Sequence, residues 1–391
     1  MLAGITVISF THFLQGPSAT QFLADLGADV IKVEPVTGAF ERSWSGPDAY
    51  LHGHSVFHLL GNRNQRSIAV NLRSDGGAEA ARRLVARADV LVESYRPGAM
   101  DRLGLGPAQV RALNPGIVHA SLTGYGGSGP YRDRPGQDVL LQALSGLASL
   151  NGPAEAPPIP VGASIVDQHA AAIAAVGILG ALFDRARTGD GRRVESDLLS
   201  AALDLQIEPL SYHLNGFGQD REPTGVSSPF YKAPYGVFAT ADGHVCLSLT
   251  STGKLAEIFE DPWFAAIPQS EEFSRRTEIN ARVAFHISSR TTGNWLARFT
   301  ELSVWHAPVQ THADVEKDPQ IAHNESIMTI DHPTAGTVRL PAHPVRYDGE
   351  RVPVRMPPPA LGEHTRQVLA EVGYDDGAID GLIAEGAVHA G

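Results

Sequence analysis

Short apolar runs alternate with amphipathic stretches along the first half of the chain, and this alternation predicts its architecture. Residues 5–10 and 29–34 are apolar runs of strand length. Between them, residues 18–26 repeat apolar positions at helical spacing, with Pro17 at the helix start and Gly27 at its end. The pattern recurs as a strand at 67–72, a helix from Ser74 to about Arg87, and a strand at 89–95. A helix at 107–113 and strands at 116–122 and 193–197 complete it. Such alternation predicts an α/β fold with a mostly parallel sheet and helices on both faces. Ligands of such sheets sit at the carboxyl ends of the strands. That edge would carry residues 12–15, Glu34, Arg73, residues 94–96 and the loop 124–129.

The later pattern is different. A Gly/Pro/Ser-rich stretch at 215–234 reads as linker, 235–249 as a hairpin around Ala241-Asp-Gly243, and 255–299 as mainly helical. A proline-rich segment at 341–359 leads to a final helix at 363–372. The expected organisation is a large domain built from both chain ends, 1–200 and 341–391. A smaller α+β domain at 226–318 is inserted through linkers at 201–225 and 319–340.

Composition narrows the chemistry. The 391 residues are 43% hydrophobic and 19% charged, with a net charge of −12 and no basic tail, which argues against nucleic-acid binding. Cys246 is the only cysteine, so an intramolecular disulfide and cysteine-rich zinc sites are excluded; its alternating surroundings predict a buried, inert thiol. The N-terminus lacks a leader pattern, and the apolar run 170–183 is too short to cross a bilayer. A cytoplasmic protein without membrane partners is expected. No G-x-G-x-x-G follows a predicted strand, and HExxH, GxSxG and Walker A sequences are absent. His52, His54 and His58 lack a carboxylate partner at metal-site spacing, so surface or capping roles are expected and no metal site.

Asp167 stands out. It ends the segment Pro160-Val-Gly-Ala-Ser-Ile-Val-Asp167 and precedes an alanine-rich helical run. At that junction free backbone N–H groups favour an anion, so the carboxylate should stay ionised, and an ionised carboxylate can attack a reactive acyl group without a general base. An Asp before a helix also serves simply as an N-cap. His12 divides similarly between a hydrogen-bonded loop residue and a ligand contact. Arg63, Arg66, Arg73, Arg96 and Arg102 gather near the expected ligand edge, and guanidinium groups match phosphate geometry.

Several ordered blocks carry a family likeness. They include Gly16-Pro-Ser-Ala-Thr-Gln-Phe-Leu-Ala-Asp-Leu-Gly-Ala-Asp-Val-Ile-Lys-Val-Glu34, Asn62-Arg-Asn-Gln-Arg-Ser67, Ala88-Asp-Val-Leu-Val-Glu-Ser-Tyr-Arg-Pro-Gly98, Gln142-Ala-Leu-Ser-Gly146 and Arg187-Thr-Gly-Asp-Gly-Arg192. With them the chain resembles the class III CoA-transferases, the group of formyl-CoA and carnitine CoA-transferases, related in fold to α-methylacyl-CoA racemase. The likeness is densest over residues 2–200 and thin beyond about 250.

The resemblance implies a Rossmann-like large domain, an interlocked, ring-like homodimer, and an acyl-CoA thioester and a free carboxylic acid as substrates, with no permanently bound cofactor. Asp167 falls on the family's catalytic aspartate, which forms an acyl anhydride and then a CoA thioester. CoA contacts fall on His12, Phe13, Leu14, Val70, Leu72, Arg73, Ser94, Tyr95, Arg96 and Arg102, with Gln137 and Asp138 facing Asp167. Pro35 departs from an arginine of the formyl-CoA transferases, and their glycine-rich covering loop is not evident; Leu249-Thr-Ser-Thr-Gly253 occupies that region. The racemases carry a Gly-His-Asp segment where this chain has Gly136-Gln137-Asp138. Glutamine exchanges no proton near neutral pH, which favours acyl-CoA transfer over α-proton exchange. A non-catalytic CoA-thioester-binding protein is the remaining alternative.

Overall fold

The computed structural model describes residues 1–223 and 228–391, in two compact units. The larger comprises Met1–Leu144, Ala163–Leu205 and Gln320–Gly391; the smaller comprises Ser145–Gly162 and Gln206–Pro319. The expected boundary at 225/226 lies outside the described residues.

The larger unit is a seven-stranded sheet of β1 (Thr6–Phe10), β2 (Asp29–Glu34), β3 (Gln65–Val70), β4 (Val90–Glu93), β5 (Val118–Thr123), β6 (Arg193–Asp197) and β7 (Val388–His389). Their spatial order is β7-β3-β2-β1-β4-β5-β6, all parallel except β7, which pairs antiparallel with β3. Successive side chains point to opposite faces, and both faces are covered. Val7, Val30, Val90, Val118 and Ala120 pack under α1 (Gln15–Asp25) and the long helix introduced below as α6. Ile8, Phe10, Ile31, Ile68 and Leu91 pack on the other side under α2 (Asp75–Arg87) and the C-terminal helices Thr365–Glu371 and Asp376–Ala384. Burial on both faces makes these strands read as continuous apolar runs.

Local chemistry sets the boundaries. Ser74 caps α2, its Oγ accepting the Gly77 N–H at 3.2 Å, as the sequence predicts. α1 begins at Gln15, earlier than expected, because Pro17 is tolerated in a first turn, where its missing N–H has no partner to lose. After β4 come the one-turn helix α3 (Ala99–Arg102) and α4 (Pro107–Leu113); after β5 come α5 (Asp138–Leu144) and α6 (Ile165–Thr188). α6, at 24 residues, is long and apolar enough to cross a membrane, contrary to the expectation from the run 170–183. Its Ala171, Ala174, Ile178 and Ala181 are instead buried against the sheet, and the small side chains let α1 pack closely through Ala19 and Leu23. His58 is buried rather than superficial, beside Asn62, which donates to its carbonyl at 2.7 Å.

In the smaller unit, Tyr235–Ala239 and His244–Ser248 form the expected hairpin, extended to three strands by His306–Pro308. Helices Thr252–Phe259, Arg276–Ile287 and Thr292–Glu301 close over a core of Phe238, Phe264, Trp295 and Phe299. Cys246 is half-buried, and burial raises its thiol pKa.

Candidate active site

The strand order reverses between β1 and β4: chain order runs outward through β2 and β3 on one side and through β5 and β6 on the other. A crevice at the carboxyl edge of such a sheet belongs at this switch point. The loop 11–14 leaves β1 there and residues 94–96 leave β4. The two are tied together: the His12 N–H donates to Ser94 Oγ at 3.2 Å, and the Tyr95 ring lies 5.7 Å from the His12 ring. Burial lowers the His12 pKa; Glu41 opposes the fall and Lys32 adds to it, so the imidazole is neutral near pH 7. Phe13 adopts a left-handed backbone at φ 61° and stays exposed, its N–H aimed at Glu41, while Leu14 is buried. Glu41 is itself fully buried on Lys32 at 2.7 Å, a partner of this loop that the sequence did not flag.

Asp167 does not cap its helix. It is the third residue of α6, after Ser164 at the cap position, and the Ser164 side chain makes no capping bond. The cap is Asp138, at the start of α5: its Oδ2 accepts the Val166 N–H at 2.8 Å and the Asp167 N–H at 3.0 Å. Gln142, one turn later on α5, holds the other oxygen with an Nε2–Oδ1 bond of 2.6 Å. The helix start thus stabilises a carboxylate, but that of Asp138. Asp167 is half-buried beside it, and its pKa is pushed up to about 7, first by burial and then by the Asp138 charge. The expectation of a permanently ionised Asp167 is corrected accordingly: near neutrality it exists in both forms. Within the larger unit, Ala163 and Ser164, which lead into α6, are exposed. Gln137 is exposed and closes the α5 start only through its carbonyl, which accepts the Leu140 N–H at 2.9 Å.

The other expected residues separate into groups. Val70 is 1% exposed and packs in the core beneath the C-terminal helices, so its side chain is not free for a ligand; Leu72 is half-buried against the same cluster. Arg73, Arg96 and Arg102 are exposed at the carboxyl edge, and among the described residues their guanidinium groups make no hydrogen bond or ion pair. Arg63 and Arg66 are elsewhere. Arg63 precedes β3 and Arg66 is its second residue, so both sit at the amino edge, where Arg63 forks onto Asp25 at 3.0 and 2.5 Å and Arg66 joins Asp29 and Glu371. Gln15, the last of the residues 12–15 expected at that edge, buries its Nε2 at the first turn of α1 without a partner among the described residues.

A sequence model of CoA-transferase family III matches residues 2–365. The chain belongs to that family. It is 33% identical to the succinyl-CoA:glutarate CoA-transferase of Mus musculus over 399 residues, covering 99% of this chain and 90% of that protein. It is 32% identical to the formyl-CoA:oxalate CoA-transferase of Streptomyces avermitilis over 411 residues, covering 99% of both. Among solved structures, a CAIB/BAIF family protein from Brucella suis superposes with a TM-score of 0.83 at 29% identity, covering 95% of this chain and 99% of that one. Membership makes this family III chain a CoA-transferase, with acyl-CoA thioesters and carboxylic acids as the substrate classes. The likeness to the Brucella suis protein covers both units.

Proposed function

We propose that Asp167 is the nucleophile of a double displacement between an acyl-CoA and a free acid. Its carboxylate oxygen attacks the thioester carbon, the C–S bond breaks, and an aspartyl acyl anhydride and CoA thiolate result. The thiolate then attacks the aspartyl carbonyl and expels the donor carboxylate, leaving an aspartyl-CoA thioester. The acceptor carboxylate attacks that thioester, and the returning thiolate takes the acceptor's acyl group and frees Asp167. No net proton or electron is exchanged, so a neutral His12 and an uncharged Gln137 are no handicap. CoA contacts are assigned to the switch-point residues His12, Phe13, Leu14, Ser94 and Tyr95 and to the free arginines at the carboxyl edge.

The observation that carries this reading is a half-buried, reachable carboxyl whose neighbouring helix-end donors are already taken by Asp138. Asp167 is therefore poised but not quenched by strong hydrogen bonds, which would lower its nucleophilicity. Intact-protein mass after mixing with acyl-CoA thioesters, including succinyl-CoA and formyl-CoA, and quenching with hydroxylamine should show a hydroxamate at Asp167, absent from Asp167→Ala. Demonstrable CoA binding without any adduct would overturn the mechanism.

A carboxyl pKa near 7 also suits a general base, which gives α-proton exchange some footing. Gln137 in place of a histidine leaves that reaction without a second base, so solvent deuterium should not enter the acyl-CoA at its α-carbon. The homodimer expected from the resemblance finds support in α6. Its Ile173, Val176, Gly180 and Phe183 form an exposed stripe, with Val176 64% and Phe183 68% exposed. A single-chain mass in sedimentation equilibrium would remove that part of the proposal.

A further inference from the structure

We infer that Arg132 acts with Arg102 as a two-arginine seat, positioned over Gly98, for a phosphate group of the CoA nucleotide. The inference rests on the CoA reading above and adds to it a residue from a different segment, the turn that precedes α5.

Gly98 caps α3 in the left-handed region, φ 80°, and carries no side chain. A Cβ built there would lie 3.4 Å from Nη2 of Arg132 and 3.5 Å from Nη1 of Arg102. Two guanidinium groups thus converge on one backbone position from separate parts of the chain. Both residues are exposed, and among the described residues neither guanidinium meets a carboxylate. Like charges brought together without a counterion repel; a doubly charged oxyanion resolves that repulsion and can accept from both forks.

The surroundings hold charges of both signs. Arg132, Arg96 and Gly98 line a cavity of about 320 Å³ at the carboxyl ends of β4, β5 and β6. Most acids on its wall are already engaged. Glu195 pairs with Arg193 at 2.7 Å, Asp197 accepts from the Ser200 N–H at 2.8 Å, and Glu93 accepts the Tyr95 N–H at 2.9 Å. Asp101 turns its Oδ1 back against Gly106. The bonds to Asp197 and Glu93 come from neutral N–H groups and cancel no charge, so what favours an anion is the local convergence of Arg102 and Arg132 over Gly98. Arg134, two residues beyond Arg132, is different: it stacks on Tyr131 at 3.9 Å and serves as an internal control.

The test is calorimetric binding to the full-length chain. CoA, 3′-dephospho-CoA and an acyl-pantetheine are compared on wild type, Arg132→Ala, Arg102→Ala, the double variant and Arg134→Ala. Arg132→Ala should weaken CoA about tenfold, leave acyl-pantetheine binding unchanged, and melt as wild type does. Because one phosphate is shared, the double variant should lose less than the product of the single losses. If the effect of Arg132→Ala disappears with 3′-dephospho-CoA, the seat holds the 3′-phosphate; if it persists, the diphosphate. CoA affinity within twofold of wild type in Arg132→Ala, or strictly multiplicative losses, would overturn the seat while leaving CoA transfer intact. A wild-type chain that binds no CoA would remove both readings. Arg132→Gln keeps much of the length and polarity, and wild-type affinity in it would overturn the requirement for charge.

Discussion

The two edges of the main sheet hold similar charges in opposite states. At the amino edge, Arg63 and Arg66 are buried and locked onto Asp25, Asp29 and Glu371; at the carboxyl edge, Arg96, Arg102 and Arg132 are exposed without a carboxylate among the described residues. The acids divide likewise. Burial works to raise Asp25, yet His343, Arg63 and Asn64 together bring its pKa below the ordinary value, whereas burial and then the Asp138 charge raise Asp167 to about 7. Saturated charges belong to the frame. Unsaturated ones are the candidates for binding.

Cutting a saturated pair should have the largest effect. Arg63→Ala takes from the buried Asp25 its only arginine, leaving Asn64 and His343, and should cost about 3 kcal/mol in denaturant unfolding, while Arg132→Ala at the opposite edge should change stability very little. Equal losses at the two edges would erase the distinction.

The unsaturated carboxyl should appear next, in kinetics. Adduct formation requires the ionised form, so its rate should fall about tenfold per pH unit below a midpoint near 7. Asp138→Asn removes the like charge and should move that midpoint downward in single-turnover rates; a midpoint that stays put would break the coupling. The smallest effect is on stability. A carboxyl raised in the folded state stabilises fully below its unfolded value of 3.8, and that contribution is lost as pH rises through about 7. Asp167→Asn should therefore gain on wild type between those limits, by roughly 1–2 kcal/mol after solvent screening, and hold the gain to pH 8. For Asp25 the sign is opposite: its contribution is present above the unfolded value and fades as pH falls through the lower folded one.

Much of the frame was legible because it depends on local pattern. β2 and β6 have the bounds predicted, and Ser74 caps where a serine before a helix should. β3 begins and ends two residues earlier than expected, since runs buried on both faces carry no alternation to fix their ends. The helix Asp376–Ala384 and β7 were missed because β7 is two residues long and exists only by pairing with β3. Arg63 and Arg66 were assigned to the wrong edge although they stand before and at the beginning of their strand, and in a parallel sheet that order decides the edge. The Asp138 cap could not be read locally: it reaches across 28 residues, and only the fold brings α5 to the start of α6. Arg132 escaped notice for the same reason, since its place beside Gly98 depends on a turn far along the chain.

Asp138 and Gln142 also fasten a neck. Residues 145–162 leave the larger unit after α5 and return to it just before α6. The bonds from Asp138 to Val166 and Asp167, and from Gln142 to the Ala163 carbonyl at 3.3 Å, clasp the two ends of that excursion. With its ends clasped, the excursion is a closed loop whose length and composition can vary without moving the footing of Asp167.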